Sequence, residues 1–306
     1  MTFVNSPSTP PLAISGLAPA RARRAGLLGP IAVVTVSTLF FVLPLVAMAR
    51  FSFQNVPMIR LGRSTLLDGW SAAGVTKAFE NPDFRSSLGL SARLAFFTVL
   101  LTLVLLLPTT LWVHLRIPKA RALVEFLTVL PYVIPPIALV AGVLPLKPHA
   151  RWFLNSNYSL VPFYAVLAMP FTFRSLDAGI KALDVKTLVD ASRSLGAGWG
   201  TTLRRVLIPN IRAAIISASF LTAAVVLGEY TMARVLLKRT LPAFMAQYQG
   251  SEPQGGMALG LTALVATTML FALLSVLTKK RGQRLQSVVP TLVGAPTVST
   301  STKDQP

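Results

Sequence analysis

Cysteine is absent from the 306-residue chain, which excludes disulfide frameworks, thiolate metal ligands and cysteine nucleophiles. Histidine occurs only at His114 and His149, too few for a zinc cluster or a serine–histidine mechanism. Charge is scarce: 13% of residues are ionised, about half the share of a soluble globular chain. Acidic residues are the scarcest, 10 against 29 Lys and Arg, for a formal charge of +19. No paired carboxylates stand at a spacing that suggests general acid–base chemistry, so a membrane enzyme finds no support. With 53% apolar residues, much of the surface must face something other than water.

The places without charge define the class. Ala25–Ala49 runs for 25 residues, Leu94–Val113 for 20, Phe126–Leu146 for 21 and Trp152–Phe173 for 22. Ala213–Gly228 has 16, reaching spanning length if Glu229 is taken in, and Gly255–Thr278 has 24. A membrane helix needs roughly 20 residues at about 1.5 Å each. The expectation is an all-α membrane protein with six transmembrane helices. Ala47-Met48-Ala49 resembles a signal-peptidase site, but the preceding run exceeds the roughly 7–15 residues of a signal core, so a retained span is expected.

Basic residues give the orientation. With the N-terminus inside, inner segments hold 18 Lys and Arg and outer segments 10, so both termini are expected in the cytoplasm. The basic residues punctuate apolar runs and form no single face, which argues against nucleic acid. The expected organisation is a disordered tail over 1–24, a first span over 25–49 and an external segment over 50–85. A core over 86–278 with five spans follows, then a second cytoplasmic tail over 279–306. Prolines crowd the spans, among them Pro131, Pro135 and Pro136, where freed backbone groups need new partners. They fit irregular helix packing or a shaped translocation path.

The cytoplasmic stretch 176–209 is the most informative. Leu188, Leu195, Trp199, Leu203 and Val206 recur at helical spacing, while Gly196, Gly198 and Gly200 interrupt with a permissive turn. Pro209 sits where a following membrane helix begins. The expected form is short helix, turn, short helix and span, with an apolar stripe that needs a covering surface.

Asp190-Ala191-Ser192, three residues, Gly196, nine residues, then Val206-Leu207-Ile208-Pro209 resembles the conserved cytoplasmic loop of ABC importer permeases. The family pattern reads Glu-Ala-Ala, Gly, Ile-x-Leu-Pro at the same spacing. Asp190, Ser192, Val206 and Ile208 are conservative departures, and Gly196 and Pro209 are identical. The resemblance implies a type I ABC importer permease architecture and a loop that docks on a separate ATP-hydrolysing subunit pair. It further implies a second permease subunit, an extracytoplasmic solute-binding protein and a bacterial inner-membrane location. ATP and Mg would be bound by that partner, since this sequence has no Gly-x4-Gly-Lys-Ser/Thr loop.

Gly228-Glu229-Tyr230 resembles permeases for polyamines, ferric iron and thiamine, favouring a polyamine-like cation. Glu229 lies about 7–8 Å outward of the span midpoint, and Arg93 at similar depth. They are expected either to pair or to leave Glu229 free for a cation. A transporter driven by an ion gradient is the alternative class.

Overall fold

The computed structural model describes the backbone over residues 20–54 and 69–286, with side chains over 29–54, 69–269 and 272. Expectations for residues 1–19, 55–68 and 287–306 fall outside the described residues. The chain divides into a unit up to Arg50 and a second from Phe51 onward.

In the described residues the first unit lies within helix α1 (Ala20–Ser52), whose last two residues belong to the second unit. It starts five residues before the expected span, with Arg21, Arg23 and Arg24 in its opening turns. Its apolar part Gly29–Ser52 has 24 residues, roughly 36 Å of helix, and is apolar on every side.

The second unit opens with α2 (Ala73–Glu80) and α3 (Pro82–Arg116), followed by α4 (Arg121–Val133) and α5 (Pro136–Val143). A short α6 (Arg151–Leu154) leads into α7 (Leu160–Lys181). Then come α8 (Val185–Ser194), α9 (Trp199–Thr201), α10 (Ile208–Asn210) and α11 (Arg212–Gly228). The last elements are α12 (Thr231–Val235), α13 (Leu241–Ser251) and α14 (Pro253–Gln286). No strand forms among the described residues; one isolated bridge pairs Gln54 with Trp70.

Several expected boundaries move, each for a local reason. α3 begins twelve residues before its uncharged run, because Asn81 accepts the Asp83 amide at 2.8 Å and Pro82 occupies the first turn. The fourth span shifts from 152–173 to Leu160–Lys181, since Ser156 accepts the Tyr158 amide and the polar stretch becomes a turn. The fifth does not extend through Glu229. It lengthens at its other end, as a near-continuous rod over Trp199–Gly228.

Four helices among the described residues are long and apolar enough to cross a membrane. They become five if the bent pair Pro118–Val133 and Pro136–Leu146 is one broken span. Its 82° bend falls at the expected prolines, where Pro135 and Pro136 follow the last turn of α4. The sixth expected span lies within α14, where the described side chains stop short of its full length.

α3, α7 and α11 form the central packing. The buried positions of α3 include Ser87, Ser91, Leu94, Thr98, Thr102, Leu106 and Thr110, at steps of three and four, with Ala95, Leu111 and Val113 beside them. α11 buries Ala214, Ala218, Thr222 and Val226 at every fourth residue. Small and hydroxyl residues therefore face helices, while Phe96, Leu100, Val104 and Trp112 face outward. Hydrocarbon is as apolar as leucine, so close approach and satisfied hydroxyls decide which face turns inward. Thr172 and Thr222 share a 2.7 Å hydrogen bond between α7 and α11, and Gly179 lets Ala214 against the α7 backbone.

Candidate functional site: a helical hairpin and the charge network behind it

α8 is started by Asp184, whose carboxylate accepts the Thr187 hydroxyl at 2.6 Å and its amide at 3.2 Å. These bonds hold Asp184 below the usual carboxylate range. α8 ends in a Schellman turn: Ala197 donates to the Ser192 carbonyl and Gly196 to that of Arg193. The turn requires a left-handed residue, and Gly196 supplies φ +82°. Space around Gly196 is open, so the backbone angle, with no crowding inside the chain, is what demands glycine.

The returning strand of the hairpin is helical but loosened. Thr202–Leu207 forms a π-helix, followed by α10 with Pro209 in its first turns. Proline has no amide hydrogen to give to the carbonyl four residues back. The Asn210 side chain donates to the Val206 carbonyl at 2.8 Å.

The two limbs are tied by Ser192 and Thr202, both buried, and by the Arg193 guanidinium 5.1 Å over the Trp199 ring. Val185 and Val189 pack with Leu207 and Ile211 against Leu111 of α3 and Ile180 of α7. The glycine turn thus splits the expected single stripe. Leu188 and Val206 are half-buried, whereas Leu195 is 89% exposed and Trp199 and Leu203 remain exposed. Asp190 and Ala191 are exposed, Ile208 is half-buried and Pro209 exposed. Asp190 lines a depression of about 360 Å³ with Arg116, Lys186 and Arg193.

Behind the hairpin lies a network that sequence reasoning missed. Asp177, 6% exposed, accepts from Arg121 Nε at 2.7 Å, Arg121 Nη2 at 2.9 Å and Lys181 Nζ at 3.1 Å. His114 Nε2 lies 2.9 Å from the same carboxylate, and Glu125 links Arg121 and Arg174. One carboxylate therefore joins the end of α3, the start of α4 and the end of α7, directly before α8. The four-residue spacing of Asp177 and Lys181 was visible in sequence, but the partners on α3 and α4 were not.

The expected Arg93–Glu229 pair is not formed. Arg93 is exposed, with a guanidinium nitrogen near Gly89. Glu229 ends α11 and is buried, its Oε1 accepting the Met232 amide at 2.9 Å to start α12. A helix break, not a mid-helix charge, explains its presence. Its Oε2 has no hydrogen-bond partner, and the buried Tyr164 hydroxyl lies close by. Tyr230 is exposed beside the break.

The described residues form apolar, kinked helices long enough to cross a membrane, with a tied helical hairpin at one end. The chain belongs to the family of binding-protein-dependent transport system inner membrane components, whose model matches residues 111–283. These are permease subunits of ABC importers. Among solved structures, a bacterial ABC transporter involved in the import of the acidic polysaccharide alginate has a similar fold. The TM-score is 0.64 at 15% identity, with 85% of this chain and 99% of that chain covered. No curated protein matches by sequence.

Proposed function

We propose that this permease couples ATP hydrolysis on a partner subunit pair to alternating access for a small solute, through the hairpin over 185–210. The observation that carries the reading is an apolar group, Leu195, Trp199 and Leu203, left uncovered on a segment whose other face is packed. The partner pair would hold ATP and Mg and seat Leu195 beside Asp190. A second permease, identical or similar, would complete the path, and a solute-binding protein would deliver to it. The hairpin end is then cytoplasmic, with both termini on the same side of a bacterial inner membrane. The ion-gradient alternative is weakened because Glu229 sits at a helix end and Arg93 is exposed. The resemblance around Gly228-Glu229-Tyr230 alone speaks for a polyamine-like cation, which would contact Glu229 Oε2; the cationic end described below speaks against it.

Leu195→Glu and Asp190→Lys place charge on exposed positions and are expected to leave abundance unchanged. Each should reduce co-purification of the co-expressed ATPase subunit at least ten-fold and abolish ATP-driven uptake in vesicles. Wild-type assembly and uptake in both variants would sink the coupling assignment.

A further inference from the structure

α7 runs toward the hairpin and α11 runs back from it, so segments 144–159 and 229–240 share the remote end of the bundle. Two cavities lie there. One, about 480 Å³, is lined by Lys147, Arg151 and Asn155 with Leu144, Pro145 and Pro148, a volume in the range of small-ligand sites. The other, about 190 Å³, is lined by Arg234, Lys238 and Arg239 among others. Lys238 joins the two, because its Nζ donates to the Asn155 carbonyl at 2.7 Å.

Lys238 is only 9% exposed, and the chain is bent to put it there. Leu237 adopts φ 56° in a second Schellman turn, where Lys238 donates to the Ala233 carbonyl and Leu237 to that of Arg234. L side chains other than glycine rarely adopt this conformation. Burial pushes the Lys238 ammonium down from its ordinary range, and Lys147 adds to the effect. Among the described residues, Lys147, Arg151, Arg234 and Lys238 have no carboxylate in ion-pair reach. Arg239 has Asp83 at 3.5 Å, both exposed. Five cations thus come from two segments whose one carboxylate is Glu229, buried at the end of α11, with the exposed Asp83 of α3 facing Arg239. Like charges gathered at one end attract counter-charge, most strongly beside Lys238, the one that is buried.

We infer that this end of the bundle receives a small anionic solute, one carrying carboxylate or phosphoryl oxygens, between Lys147, Arg151 and Lys238. The inference rests on the importer reading, which makes this end the outer mouth, and its sign of charge opposes a polyamine-like cation.

The test is calorimetric titration of the full chain in nanodiscs with inorganic phosphate, citrate and spermidine at constant chloride. Phosphate or citrate should bind saturably, at least ten-fold more weakly in Arg151→Gln and Lys147→Gln, and spermidine should not bind. Both substituted residues are exposed, so the variants are expected to fold; Lys238→Met gives a buried third variant. Absence of oxyanion binding, tighter spermidine binding, or oxyanion binding unchanged in the two exposed variants would each overturn the inference. Oxyanion binding by a chain that fails to retain the ATPase would refute the coupling reading alone. ATPase retention without oxyanion binding would refute the anion site alone.

Discussion

Ser192 Oγ and Thr202 Oγ1 lie 2.9 Å apart across the Gly196 turn, both buried, and hold the two limbs of the hairpin together. Alanine, the residue of the family pattern at position 192, would leave the Thr202 hydroxyl unpaired. Ser192→Ala should therefore destabilise the hairpin by about 1–3 kcal/mol, read as faster amide exchange over residues 185–207. Adding Thr202→Val removes both polar partners and should restore most of the protection. Full protection in the single variant would remove the tie from the account.

Gly196 is fixed by its backbone angle. Gly196→Val should impose about 1–2 kcal/mol of strain on the turn while leaving membrane insertion and abundance unchanged. Gly196→Asn should be milder, because asparagine tolerates the left-handed region. The ordering Gly, Asn, Val should appear in ATPase co-purification. Equal recovery in all three would contradict the positive φ.

Gly179 allows α7 and α11 to approach closely. A methyl group there overlaps the Ala214 Cβ, so Gly179→Ala should cost about 1–3 kcal/mol and lower the folded yield in detergent. Ala214→Gly in the same chain should recover part of the loss. An unchanged thermal midpoint in Gly179→Ala would show that the helices separate freely.

Asp177→Asn leaves Arg121, Lys181 and His114 around an uncharged amide. Loss of a fully buried pair costs about 3–5 kcal/mol, but Arg121 and Lys181 reach solvent, so about 2 kcal/mol is expected here. The readout is thermal inactivation of the purified chain, with Arg121→Lys intermediate because it loses the two-pronged contact. Wild-type inactivation in Asp177→Asn would mean the network is solvated.

Topology can be read directly, since the native chain has no cysteine. Single cysteines at Gly250 and Ser194, both exposed, should label differently with an impermeant reagent added outside intact cells. Gly250→Cys is expected to react and Ser194→Cys to stay unmodified. External labelling at position 194 would invert the orientation and detach the hairpin from any cytoplasmic ATPase.

Much of the class was legible in the linear sequence. Uncharged runs announce membrane helices because hydrocarbon cannot solvate charge, and that is a property of composition along the chain. Gly196 announced the turn, and the 82° bend falls among Pro131 to Pro136, because both act on the local backbone. The inward faces of the spans were not legible. Leu and Phe are equally content in lipid or protein, so the packing of α3, α7 and α11 was decided by small residues whose neighbours lie elsewhere in the chain. Asp177 meets partners 63 and 56 residues away, and Lys238 meets a carbonyl 83 residues away. Arg93 and Glu229, matched in depth by counting, proved unpaired because Glu229 ends α11 and turns to start α12. Local patterns determined which segments are apolar enough to cross a membrane and where the chain turns. Only the tertiary structure decided which charges meet, because helix rotation and helix ends set the direction in which each side chain leaves the backbone.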